Sequence, residues 1–162
     1  MKTIKTTVYS LDELTDTAKE QARNWYREGA LDYEWWDVTF EDAECIGLKI
    51  TGFDLDRNKH ATGHFTDTAG GVAARVVADH GKSCGTYRDA QNYLKDRAAL
   101  PIPEGEEEPD TTDLDEEFER TLLEDYANLL QQECEYLLSK ESVDESIRAN
   151  EYTFTADGKR FG

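Results

Sequence analysis

Two histidines, His60 and His64, follow three regularly spaced oxygen side chains, Asp54, Asp56 and Asn58. As the opening of a calcium loop the spacing fails. Lys59 stands where the sharp turn needs glycine, and Phe65 where a bidentate glutamate belongs. As a strand, the segment puts His60 and His64 on one face. Asp54 or Asp56 could join them there around a transition metal. A polar pair on an outer sheet face explains the same residues without a metal. Gly70 and Gly71 stand where a helix follows a strand, and backbone N–H groups there could hold an anion. Neither a dinucleotide fingerprint nor a P-loop surrounds them. Cys84 lies among small residues, shortly after His80, and spacing alone aligns no thiolate–imidazole pair. Paired carboxylates carry no signal, because 36 acids make pairs by chance. These residue types assign no catalytic residue, no metal and no cofactor. An enzyme acting on a small ligand near His60, His64, Gly70 and Gly71 stays open as one reading.

Charge is the stronger pattern. Lysine and arginine number 18 against 36 aspartates and glutamates, a net charge of −18. From Glu104 to Asp125 there are twelve acids and one base, Arg120, so this stretch carries −11 of the total. Such a chain repels nucleic acid and anionic membranes and attracts basic proteins. The expectation is therefore a basic protein partner, with no direct nucleic acid and no membrane.

Spacing matters beyond the sum. On a helix turning about 100° per residue, Asp113, Glu117, Glu124 and Glu135 project within roughly 40° of one another. Asp37, Glu41 and Glu44 share an arc of about 60° on a second helix. Trp35, Trp36, Val38, Phe40, Ala43 and Ile46 fill most of the rest. That predicts a nearly buried helix with one acidic ridge, and Trp36 and Phe40 in the core. At a rise of ~1.5 Å per residue, Glu117 and Glu124 stand about 10 Å apart and Asp37 and Glu41 about 6 Å. Phosphates on one DNA strand have comparable spacing, so such rows could imitate a backbone to a protein that grips phosphates. Solubility and the helix dipole account for some of the same acids. Asp37, Glu41, Glu44, Asp113, Glu117, Glu124 and Glu135 are the candidate partner-binding residues.

Local periodicity indicates the elements that position them. Residues 3–9 are β-branched and alternate, which predicts a first strand. Leu14, Ala18, Ala22, Trp25 and Tyr26 recur at helical spacing, with Thr17 and Glu20 as a capping box and Gly29 as a left-handed stop. The second helix is expected over 32–46, with Asp32 near its cap and Gly47 just past its end. LKITGFDLDR and HATGHFTD predict a hairpin turning at Asn58–Lys59. Two short helices follow, the second stopped by Pro101 and Pro103. Residues 101–112 read as an exposed acidic loop. A long helix is expected from Asp113 to about Ser139, with Leu114, Phe118, Leu122, Tyr126, Leu129 and Leu137 on one stripe. A final strand turns at Asp157–Gly158. The fold class is α+β, a small antiparallel sheet packed against several helices, in a single domain over 1–162. No apolar run follows Met1 and none is long enough to span a bilayer, so a soluble intracellular protein is expected. Cys45, Cys84 and Cys134 read as reduced, mostly buried thiols.

The stretch YSLDELTDTAKEQARNWYREGALDYEWWDVTFEDAECIGLKITGFDLDR, with the closing ANEYTFTADGKRFG, resembles a family of small acidic proteins of tailed bacteriophages. Its members are sometimes labelled antitoxins. The likeness covers the N-terminal third and the last dozen residues. After the second strand, members commonly carry an aromatic, glycine-rich segment; ATGHFTDTAGG keeps the glycines and lacks the tryptophan. The resemblance implies a phage accessory protein acting in the bacterial host cytoplasm. Phage proteins of this size and acidity are often inhibitors of host defence, DNA-mimicking anti-restriction and anti-CRISPR proteins among them. The leading expectation is a non-enzymatic inhibitor of a basic, nucleic-acid-handling host defence protein. An antitoxin or regulatory binding protein is the second, and the small-ligand enzyme near His60 and His64 the third.

Overall fold

The computed structural model describes residues 3–161; Met1, Lys2 and Gly162, the ends of the expected single domain, lie outside the described residues. In chain order the elements are a 3-10 turn at Leu11–Glu13, α1 (Asp16–Gly29), α2 (Asp37–Cys45), β1 (Leu48–Asp54) and β2 (His60–Phe65). Then come α3 (Ala69–Asp79), α4 (Gly85–Ala98), α5 (Thr112–Leu137), α6 (Lys140–Ala149), β3 (Thr153–Phe154) and β4 (Arg160–Phe161). The class is α+β, and the strands form two separate antiparallel hairpins, β1–β2 and β3–β4. The chain divides into two compact units, Trp36–Gln131 and the remainder, Met1–Trp35 with Gln132–Gly162.

In the unit Trp36–Gln131, β1 and β2 pair with Leu48 opposite Phe65 and Asp54 opposite His60. The register shifts between Ile50 and Gly52. Leu48 and Ile50 alternate inward with period two, and the bulge resets the phase so that Phe53 also packs on the core. Gly47 lies just past the end of α2, as expected, and its φ of 91° is left-handed. Thr68 opens α3 by accepting from the N–H of Gly71 at 3.1 Å. The core joins Ile46, Leu48, Val72, Val76, Phe118, Leu122 and Tyr126. Tyr93 stacks on Phe118 with ring centroids 4.5 Å apart.

In the other unit, Leu11, Leu14, Ala18, Ala22, Val143, Ile147 and Phe154 make the core. The strand expected over 3–9 does not form; only Tyr9 pairs, exchanging both backbone hydrogen bonds with Phe154 at 2.8 Å. β3 is two residues long and offers no edge for more, and Ile4 stays 87% exposed. The N-terminal caps also differ. Glu13 accepts from the N–H of Ser10, and Thr15, not Thr17, caps α1 through the N–H of Ala18. Gly29 is not left-handed, and α1 closes at Ala30 in a right-handed turn. α6 is an element that periodicity did not separate. Ser139 breaks the chain from α5 and caps α6, its hydroxyl accepting from Ser142 N–H at 3.2 Å.

Candidate functional site

All seven acids singled out by spacing are exposed. On α5 the buried positions Phe118, Leu122, Tyr126 and Leu130 follow one another at steps of four. Asp113, Glu117 and Glu124 lie about half a turn from that line. Each step of four turns the line by about 40°. That drift leaves Leu129, expected on the stripe, 41% exposed and brings Leu130 inside instead.

On α2 the expectation of near-complete burial is wrong. Ala43 is its one buried residue, and Val38 is 77% exposed. The helix starts at Asp37, because residues 31–36 form turns and Asp32 closes onto the carbonyl of Gly29. Trp36 and Phe40 are half-buried rather than core, and they meet Phe53 in a triangle of rings with centroids 5.8–6.5 Å apart. Asp37, Glu41 and Glu44 still share an exposed side of this short helix.

The electrostatic environment of these acids is informative. Four arginines elsewhere are matched: Arg23 with Asp144 and Glu20, Arg27 with Glu20, Arg75 with Asp67, Arg148 with Asp12. None of the seven candidate acids makes an ion pair among the described residues. Six of them belong to the unit Trp36–Gln131, and Glu135 to the other. The loop before α5 is exposed at Glu106, Glu107 and Glu108. Asp110 accepts from the N–H and hydroxyl of Thr112, which hold its carboxyl below the usual range.

A partly buried polar cluster, with Asp42 at its exposed edge, was missed by sequence reasoning. Tyr126 donates its hydroxyl to Asp42 at 2.7 Å, joining α5 to α2. Burial, and then the Asp42 carboxylate, push the Tyr126 phenol well above its ordinary range. His80 Nδ1 meets the Thr86 hydroxyl at 2.6 Å. Its Nε2 is buried and makes no hydrogen bond, although Asp42 Oδ2 lies 3.3 Å away. Asp125 is pushed up to about 8, first by burial and then by the carboxyl of Asp89. One signal was legible: Tyr126 sat on the apolar stripe, and a buried phenol needs a partner. The chain Thr86–His80–Asp42–Tyr126 has the residue types of a proton relay. Thr86 is only 3% exposed, however, and presents no nucleophile to a substrate.

The other candidates do not converge. His60 and His64 are exposed on β2, opposite Asp54 and Lys49, and His60 Nδ1 lies 2.5 Å from the Asn58 carbonyl oxygen. Lys49 places a cation beside the position where a metal would need donors. Among the described residues no three His, Cys, Asp or Glu side chains gather as a ligand set. Gly71 spends its N–H on Thr68, and a Cβ at Gly70 would collide with the Arg97 guanidinium. Cys45 and Cys84 are exposed and Cys134 is half-buried, against the expected burial. Cys84 precedes the first turn of α4, and His80 bonds Thr86 instead.

Compared with protein-family models, curated proteins and solved structures, the chain matches none. Among the described residues no helix is long and apolar enough to cross a membrane.

Proposed function

We propose that this chain is a binding protein whose unpaired acidic rows engage a basic protein that handles nucleic acid. The observation that carries the reading is the lack of local compensation: Arg23, Arg27, Arg75 and Arg148 pair with other carboxylates, while Asp37, Glu41, Glu44, Asp113, Glu117 and Glu124 are exposed and make no ion pair among the described residues. Placing acids on helices fixes their spacing, with Glu117 and Glu124 about 10 Å apart along α5. A partner built to grip regularly spaced phosphates would meet charge at similar intervals. Steering by a net charge of −18 makes association fast and salt-sensitive. The likeness to small acidic phage proteins supplies the context, a host defence protein in a bacterial cytoplasm, with this chain as its inhibitor.

The test is capture from bacterial lysate at low and moderate salt, followed by affinity measurement on the captured protein. D113N/E117Q/E124Q should weaken binding at least tenfold, about 1.4 kcal/mol. E106Q/E107Q/E108Q, in the loop, should do much less. Equal losses from both would reduce the effect to bulk charge. No loss from either would leave the acids as solubilising groups and remove the proposal.

A further inference from the structure

Within the unit Met1–Trp35 with Gln132–Gly162, an open hollow of about 360 Å³ is lined by Trp25, Tyr26, Glu28, Gly29, Asp32 and Tyr152. Its aromatic residues are set at steep angles to one another. Trp25 and Tyr152 have centroids 5.2 Å apart and planes at 86°, and Trp25 and Tyr26 lie 6.3 Å apart at 64°. All three rings are half-buried. Rings meeting at such angles present a face and an edge to the same space, and the electron-rich face attracts cations. Arg160 acts as a built-in probe of this property. Its guanidinium carbon lies 4.7 Å from the Tyr152 centroid and 5.9 Å from that of Trp25.

The rim adds negative charge. Glu28 and Asp32 are exposed, and neither makes an ion pair among the described residues. The arginines on α1 are used elsewhere: Arg23 forks onto Asp144, and Arg27 bonds Glu20, Asn24 and the Leu138 carbonyl. The hollow thus combines three aromatic residues with two carboxylates that make no ion pair among the described residues, and Arg160 is the cation already on two of the rings.

We infer that this hollow is a binding site for an organic cation of the guanidinium class, such as an arginine side chain presented by a peptide. A flat guanidinium can stack on Tyr26, or take the place of Arg160 on Trp25 or Tyr152, while its edge donates hydrogen bonds to Glu28 and Asp32. A tetraalkylammonium ion can use the rings and the charge of the carboxylates, but it donates no hydrogen bond. The inference does not rest on the acidic rows of α2 and α5, which belong to the other unit except for Glu135.

The test is a titration of the full chain with N-acetyl-arginine amide, followed through the Trp25 indole N–H signal by nitrogen-15 NMR. The signal is assigned by its loss in Trp25→Phe. Sodium chloride at matched ionic strength controls for charge screening, and tetramethylammonium chloride for a cation that donates no hydrogen bonds. The arginine amide should give a saturable Trp25 shift at least threefold tighter than tetramethylammonium. E28Q/D32N, changed at exposed positions, should weaken it at least threefold with an unchanged melting temperature. A shift that sodium chloride reproduces, or one that does not saturate, overturns the site. Equal or tighter binding of tetramethylammonium, or no effect of E28Q/D32N, overturns the guanidinium assignment. Loss of the α5 acids in D113N/E117Q/E124Q should leave the titration unchanged, which separates this result from that of the proposed function.

Discussion

Arg23 and Asp144, 121 residues apart in sequence, form a two-pronged ion pair beneath the surface. Nε donates to Oδ1 at 2.7 Å and Nη2 to Oδ2 at 3.0 Å. The residues are 8% and 7% exposed. The pair ties α1 to α6, and the neighbouring Arg148–Asp12 contact at 2.7 Å ties α6 to the turn before α1. Hydrogen bonding to Asp144 raises the Arg23 pKa further above its ordinary value, so the guanidinium stays charged across the accessible range.

Breaking that pair should be costly because it strands a buried charge. Arg23→Met or Asp144→Leu alone should each destabilise the protein by about 3–5 kcal/mol. The double variant should recover much of the loss, since replacing both partners removes the unpaired charge. Urea unfolding of the three variants checks this. A double variant as unstable as the sum of the singles would mean that the two side chains contribute by packing, not by pairing.

Asp125 sets a pH dependence with an unusual sign. Its carboxyl titrates at about 8 in the folded protein against 3.8 in the open chain. The native state therefore keeps a proton that the unfolded state releases. Stability from this group is full below the lower value, falls as pH rises between the two, and is gone above the upper one. Asp125→Asn has no proton to lose. Relative to the parent chain, it should gain on the order of 1 kcal/mol or more between about pH 5 and about pH 9. Denaturant curves of both proteins at the two pH values measure the difference. Parallel behaviour would place the carboxyl in water.

Gly158 and Gly105 are both left-handed, at φ 88° and 85°, yet they should respond differently to alanine. A Cβ at Gly158 would run into the backbone carbonyl of Ala18, whereas nothing lies within 4 Å of one at Gly105. Gly158→Ala should cost about 2 kcal/mol or more, and Gly105→Ala only the conformational penalty of about 1 kcal/mol. Thermal melts rank the two. Equal losses would mean that the β3–β4 turn does not press on α1.

The acid variants used to test binding should leave the fold intact. Asp113, Glu117 and Glu124 are exposed and unpaired, so each neutral substitution should stay within about 0.5 kcal/mol. Loss of the dipole interaction at Asp113 adds only a few tenths, about 0.3 kcal/mol. Melting temperatures of D113N/E117Q/E124Q and the parent chain should agree within a few degrees. A larger drop would show that the acids hold the helix itself.

The helical elements were legible where local signals agreed with packing. Phe118, Leu122 and Tyr126 are periodic, and α5 forms and buries them. Gly47 is a helix stop in sequence and in space. The hairpin of β1 and β2 follows from two β-rich runs and a polar turn. Errors arose where local propensity had no partner to satisfy it. Residues 3–9 have strand composition, but the two-residue β3 supplies only one bridge, to Tyr9. α2 has the apolar residues of a buried helix, but packing reaches Ala43 and leaves Val38 in water.

The sequence by itself determined the α+β class, the charge imbalance and the exposure of an acidic face opposite the apolar stripe of α5. Each depends on composition or on a repeat a few residues long. Only the tertiary structure decided which charges are neutralised. Arg23 could have met any of many carboxylates, and the packing of α1 on α6 selects Asp144. The same holds for Asp42, which Tyr126 reaches across 84 residues, and for the Trp25–Tyr152 corner, built from opposite ends of the chain. Periodicity records which face of an element is apolar. The identity of the element that covers that face is a long-range outcome of packing, and no local repeat encodes it.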